Sequence, residues 1–152
     1  MITEDFYNDV VQSLMKFCKD IAEEAQQDGL SNTLRLHDWE AHAVEPELPE
    51  GDLIGPGAIG VEIGADKIVT VQFAVGISSE MDVSMFRLRK IISRVFSRLQ
   101  PETRLKLYSH AAAEPRSWMV VTAPVHAEPV TRSEQRVYQF VSVRALIDPK
   151  AA

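Results

Sequence analysis

The sequence predicts an α+β fold with a mainly antiparallel sheet and two helices packed on one of its faces. Two segments place apolar residues at spacings of three and four, several others alternate apolar and polar residues, and the order runs helix, strand, hairpin, helix, then three strands. No linker, internal repeat or low-complexity tail divides the 152 residues, so residues 1–152 read as one domain.

The first helix is predicted over Thr3 to Gln27. Phe6, Val10, Leu14, Phe17 and Ile21 form its apolar stripe, and Val11, Met15 and Cys18 widen it. Thr3 is placed to cap the start, Asp5 and Asp9 lie near the positive end, and Asp28-Gly29 supplies the stop. Glu23, Glu24, Gln26 and Gln27 read as a solvated face. Thr33 to Val44 reads as a strand, with Leu34 and Leu36 alternating against Arg35 and His37. The run from Glu45 to Gly57, EPELPEGDLIGPG, is rich in Pro, Gly and acid and reads as an exposed loop with a role in contact or assembly.

A hairpin follows. Ile59, Val61 and Ile63 alternate with small or polar residues, as do Val69, Val71, Phe73, Val75 and Ile77, and Ala65-Asp66 lies at the turn between them. The second helix has the means to cover its apolar face. Ser79 and Asp82 have capping-box spacing, Met85, Leu88, Ile92, Val95, Phe96 and Leu99 make the stripe, and Pro101 ends the helix near Gln100. Three strands complete the chain: one led by Leu105 and Leu107, one over Trp118 to Thr122, and one over Gln135 to Ile147. A Pro-rich loop from Ala123 to Ser133 separates the last two. In the final strand Tyr138, Phe140 and Leu146 point away from the valines, so both faces of the sheet are expected to be partly covered.

Composition bounds the function. The 17.0 kDa chain buries roughly two thirds of its unfolded surface, enough for a core without disulfides or metal. Its mean hydropathy of −0.09 and 45% hydrophobic residues are those of a globular protein. Cys18 is the single cysteine, which excludes an intrachain disulfide and Cys-rich zinc sites, and its apolar neighbours make it a buried, inert thiol. No apolar run reaches the length of a spanning helix, and the first 15 residues begin with acids where a secretory signal begins with bases; a soluble, cytosolic chain is expected.

The motifs of chemistry fail on context. Gly55-Pro-Gly57-Ala-Ile-Gly60 matches the dinucleotide string, but a Pro-rich loop precedes it and a strand follows, so it reads as a flexible turn. His37, Asp38, Glu40 and His42 are the one local metal-type cluster; on a strand His37 faces away from the other three. His110 and His126 stand alone. No nucleophile elbow is present, and Glu45 and Glu47 lie where solvent keeps both ionised. The expectation is a protein that is not an enzyme, with no catalytic, cofactor-binding or metal residues and no cofactors.

Charge is unevenly distributed. Residues 1–50 hold twelve acids against three bases, a balance of −9, and residues 51–152 hold ten acids against thirteen bases, a balance of +3. The overall −6 argues against a general nucleic-acid binder. Opposed charge within one chain suits copies that touch head to tail. The strongest polar feature is the basic face of the second helix, with Arg87, Lys90, Arg94 and Arg98, continued by Arg104 and Lys106. It reads equally as a solvated face or an electrostatic protein interface, with phosphate contact behind both.

The size, the element order and the final unit, in which WMVVTAPV is followed by a loop and then QRVYQFVSVRALI, resemble the tail terminator or tail completion proteins of tailed bacteriophages. The resemblance spans nearly the whole chain and rests on pattern. It implies a structural virion protein that self-associates as a homohexameric ring, caps the tail tube and joins it to the head connector, in the virion and, during assembly, in the host cytoplasm. It assigns Arg87, Lys90, Arg94, Arg98 and Arg104 to contact with a neighbour or tube protein, with Glu45, Glu47, Glu50 and Asp52 as the complementary surface. The loop over Glu45 to Gly57 is short for a tube-contacting arm. A non-enzymatic adaptor, or a phage neck protein, is the alternative.

Overall fold

A computed structural model describes residues 2–41, 48–80, 85–109 and 115–147. Helix α1, Phe6–Gln27, buries Phe6, Val10, Leu14, Cys18, Ile21, Ala22 and Ala25, the stripe its spacing dictates. At its start the Asp5 amide donates to Thr3 Oγ1 (3.3 Å) and the Phe6 amide to the Thr3 carbonyl (3.1 Å). At its end the Asp28 amide reaches the Glu24 carbonyl, and Gly29 turns the chain at φ +79°, a conformation open to glycine without strain.

Of the strand predicted over Thr33 to Val44, the described residues form only β1, Arg35–Leu36, parallel to the next strand, and residues 42–44 lie outside the described residues. Leu34 is fully buried while Leu36 is 37% exposed, so the two leucines do not share a face. The chain then crosses the outer surface of the sheet, where His37 and Trp39 are buried.

Strand β2, Leu53–Ile63, corrects the expected exposed loop at 45–57: Asp52 through Gly57 are buried and Leu53 to Gly57 are strand. Residues 45–47 lie outside the described residues. Pro56 is tolerated because β1 pairs only with Leu53 and Ile54, so at Pro56 the strand has no ladder partner on that side. A register shift between Gly57 and Gly60, with Ala58 at φ +50°, bulges the strand before it runs into the hairpin. Strand β3, Val69–Glu80, pairs antiparallel with β2 as expected. It continues through Ser78 and Ser79, both fully buried, so Ser79 is a strand residue and not a helix cap; Asp82 lies outside the described residues.

Helix α2, Phe86–Arg98, buries Leu88, Ile91, Ile92 and Val95. Strands β4 (Arg104–Tyr108), β5 (Pro115–Ala127), β6 (Thr131–Arg132) and β7 (Arg136–Ile147) follow. The loop expected from Ala123 to Ser133 is strand as far as Ala127, with Pro124 inside β5 where the register shifts between Thr122 and His126. The sheet runs β1-β2-β3-β7-β5-β4, with β6 on β7, and all pairs except β1-β2 are antiparallel.

Directly paired residues of antiparallel strands share a face. Val71, Phe73, Val75 and Ile77 of β3, Val141, Val143, Ala145 and Ile147 of β7, and Met119 and Val121 of β5 turn to the inner face and join both helices in one core. The outer face carries Tyr138, Phe140, Ser142, Arg144 and Leu146 of β7. The chain is thus α+β, with both helices on the inner face.

Candidate interaction surfaces

Much of the chain's charge is paired within the subunit, partly across the two sequence halves and partly inside the second. Asp52, fully buried, accepts Arg87 Nε at 2.7 Å and Nη2 at 3.1 Å, together with Ser31 Oγ at 2.5 Å. Arg94 pairs with Asp28 at 2.6 Å, Arg98 pairs with Glu24, and Arg116 lies 3.4 Å from the buried Asp9. Glu24, expected on a solvated face, therefore ties α1 to α2. Gln26 from the same face donates to the Leu34 carbonyl. The hydrogen bond from Arg94 holds the Asp28 carboxyl below the usual carboxylate range. Burial pushes the Cys18 thiol up, keeping it protonated as its neighbours predict.

Of the residues expected to form an interface, Arg87, Arg94 and Arg98 thus hold acids of their own chain, and Asp52 is buried beneath Arg87. Lys90 is exposed, with its ammonium 4.6 Å from the Phe86 ring centre. Arg104 and Glu50 are exposed, and Glu45 and Glu47 lie outside the described residues. Nothing in the local pattern singles out Arg136. It is 5% exposed and donates to Ser78 Oγ and to the carbonyls of Pro49 and Gly51, fastening the entry of β2 to the sheet.

Two glycines of the dinucleotide-like string, Gly55 and Gly57, have a packing role, as does Gly76. A side chain at Gly55 would meet the His37 carbonyl oxygen at 1.6 Å, one at Gly57 the Trp39 Cβ at 3.1 Å, and one at Gly76 the Trp39 Nε1 at 2.7 Å. Gly55, Gly76 and Phe140 stand opposite one another on the outer face. Trp39 lies over this bare backbone, donates its indole N–H to the Gly76 carbonyl at 2.9 Å, and meets Tyr138 and Phe140 edge-on. His37 packs against Trp39 with ring centres 4.5 Å apart, away from the metal-type cluster it was weighed with; His42 lies outside the described residues.

Farther along the same strands the outer face stands uncovered among the described residues. Thr70, Leu146, Val120 and Arg104 form one row across four strands. Beside it lie Trp118 paired with Lys106, and Gln72 paired with Arg144 and Thr122. Trp118 is 41% exposed, and Arg104, Lys106 and Arg144 are exposed with no side-chain ion pair among the described residues. The pairing of β4 with β5 places the Trp118 indole directly opposite Lys106.

Two clefts carry titratable side chains. One, of about 450 Å³, opens at the bulges and is lined by Gln72, His126, Ser142 and Arg144. Beside it Ser142 Oγ donates to Glu128 Oε1 at 3.2 Å, and Glu128 Oε2 lies 3.6 Å from His126 Nε2. The carboxylate stands between hydroxyl and imidazole, so the base does not meet the nucleophile, and the order that activates a serine is not made. The other cleft, of about 550 Å³, is lined by Arg35, Glu50, Glu80 and Arg87 beside β1, where carboxylates and guanidiniums alternate without a converging set. Among the described residues no three His, Cys, Asp or Glu side chains gather as metal ligands, and no helix is long and apolar enough to cross a membrane.

No protein-family model matches the chain, and no curated protein matches it.

Proposed function

We propose that this chain is a structural virion assembly protein whose copies form a ring that caps a phage tail tube and joins it to the head connector. The observation that supports the reading is the position of the charge left over after internal pairing. At one end of the sheet Asp38, Glu40 and Glu50 lie beside β1 and outnumber its exposed Arg35, and at the other Arg104 and Lys106 lie on β4. A subunit with unlike ends makes head-to-tail contacts, and such contacts close into rings when the rotation between neighbours divides the circle. Complementary charge favours that register over others.

Light scattering at several protein concentrations, at low and high salt, tests the reading. A mass of about six times 17.0 kDa that falls at high salt is expected, since exposed charge pairs are screened. A mass of 17.0 kDa under every condition overturns preformed assembly and leaves the adaptor as the better description.

A further inference from the structure

Resting on the ring reading, we infer that the open half of the outer sheet face is where a second copy of this chain seats its acidic β1 flank. The acceptor is Trp118, Val120 and Leu146, bordered by Arg104, Lys106 and Arg144.

An exposed tryptophan on a strand face, opposite Lys106 and diagonal to Arg104, with Arg144 farther along the same face and no ion pair for the three among the described residues, is a composition that interfaces concentrate and solvated sheet faces avoid. The aliphatic neighbours make the patch continuous across β7 and β5, because Leu146 and Val120 are direct cross-strand partners. The rest of the outer face already has its cover in Trp39, and nothing in the described residues plays that part here.

The occupant follows from charge and shape. The β1 flank carries the acids Asp38, Glu40 and Glu50 and the exposed base Arg35 around Leu36, which is 37% exposed, so it offers an apolar centre with a border of net negative charge to a surface of the opposite kind. The two surfaces belong to opposite ends of one sheet, so neither can satisfy the other within a single subunit, and a contact between them passes from copy to copy. A nucleic acid is the weaker occupant: the chain is net −6, and a single aromatic stands among the three bases.

Trp118 itself reports the contact, since the other tryptophan, Trp39, is already buried. With rising protein concentration at low salt, tryptophan emission should shift blue and acrylamide quenching should fall in step with the scattering mass, and both should reverse in high salt. Trp118→Ala and the reversal Arg104→Glu with Arg144→Glu should each weaken association about tenfold or more while leaving the far-ultraviolet spectrum unchanged. If Trp118→Ala does not fold, the reversal variant decides the matter. A chain that adds Glu40→Lys and Glu50→Lys to that reversal should regain the mass, because the contact then has its charges exchanged. If the protein assembles but Trp118 stays quenchable and neither variant lowers the mass, the assigned surface is wrong and the ring stands. If no assembly occurs at any concentration or salt, both fall. If single-stranded DNA shields Trp118 while protein concentration does not, the second copy is the wrong occupant.

Discussion

Over Gly55, Gly57 and Gly76 the outer face of the sheet is bare backbone, and Trp39 lies flat on it between Tyr138 and Phe140. A few residues along the same strands, Thr70, Gln72, Arg144 and Leu146 stand up from the sheet, and Trp118 stands with them instead of being covered. Both halves have a tryptophan, and the difference lies in the floor. Where side chains are missing, a segment of the chain's own backbone approaches to contact distance and the indole is sealed. Where they are present, the indole remains half exposed with cations around it. The missing side chains therefore decide which half the chain covers with its own backbone and which it leaves open.

The largest effect should come from emptying the covered half. Trp39→Ala removes a buried indole and its bond to the Gly76 carbonyl and should cost about 3–5 kcal/mol in urea unfolding; a cost below about 1 kcal/mol would mean that the cover is not needed. Filling the floor should come next. Gly55→Ala sets a methyl group against the His37 carbonyl, which is backbone and cannot swing aside, and should cost about 1–3 kcal/mol or more. On the open half Trp118→Thr exchanges one residue type favoured in strands for another and should shift stability by no more than about 1 kcal/mol, read in the same urea titration. Gly60→Ala completes the contrast within a single strand: nothing lies within 4 Å of the added carbon, so a gain of about 0.4–1 kcal/mol is expected where the same change at Gly55 destabilises.

Periodicity made much of this fold legible. The stripe from Phe6 to Ile21, the hairpin from Ile59 to Ile77 and the alternation over β7 are local patterns, and each element formed within a few residues of its expected place. The LIGPG run misled because Gly and Pro signal loops in one dimension, whereas here they admit a neighbouring segment and end a ladder. The clue was present: Gly55 and Gly57 lie two apart, on one side of a strand, and Trp39 is a lone large aromatic in a polar stretch. Asp52 with Arg87, and Arg136 with Pro49 and Gly51, were illegible because 35 and 85 or more residues separate the partners. Charge along a sequence tells how many ions must be placed, and only the fold tells which of them meet.

That distinction separates two sets of bases, and its smallest consequence is in acid. Arg94 holds Asp28 and is part of the fold, whereas Arg104 holds nothing described and is available to a partner. Because Arg94 lowers the Asp28 carboxyl's affinity for protons in the folded chain, the unfolded chain binds a proton there first as pH falls. The pair's contribution is complete above the ordinary carboxylate range and is lost as pH drops through the lowered value. Asp28→Asn keeps an oxygen for the Leu30 amide and removes the charge alone. Its cost in urea midpoint should be greatest near neutral pH and should disappear in strong acid, and since the pair is well solvated it should be modest throughout. Arg104→Ala should show no such pH dependence in the monomer; if the two substitutions titrate alike, the division between fold and contact surface does not hold.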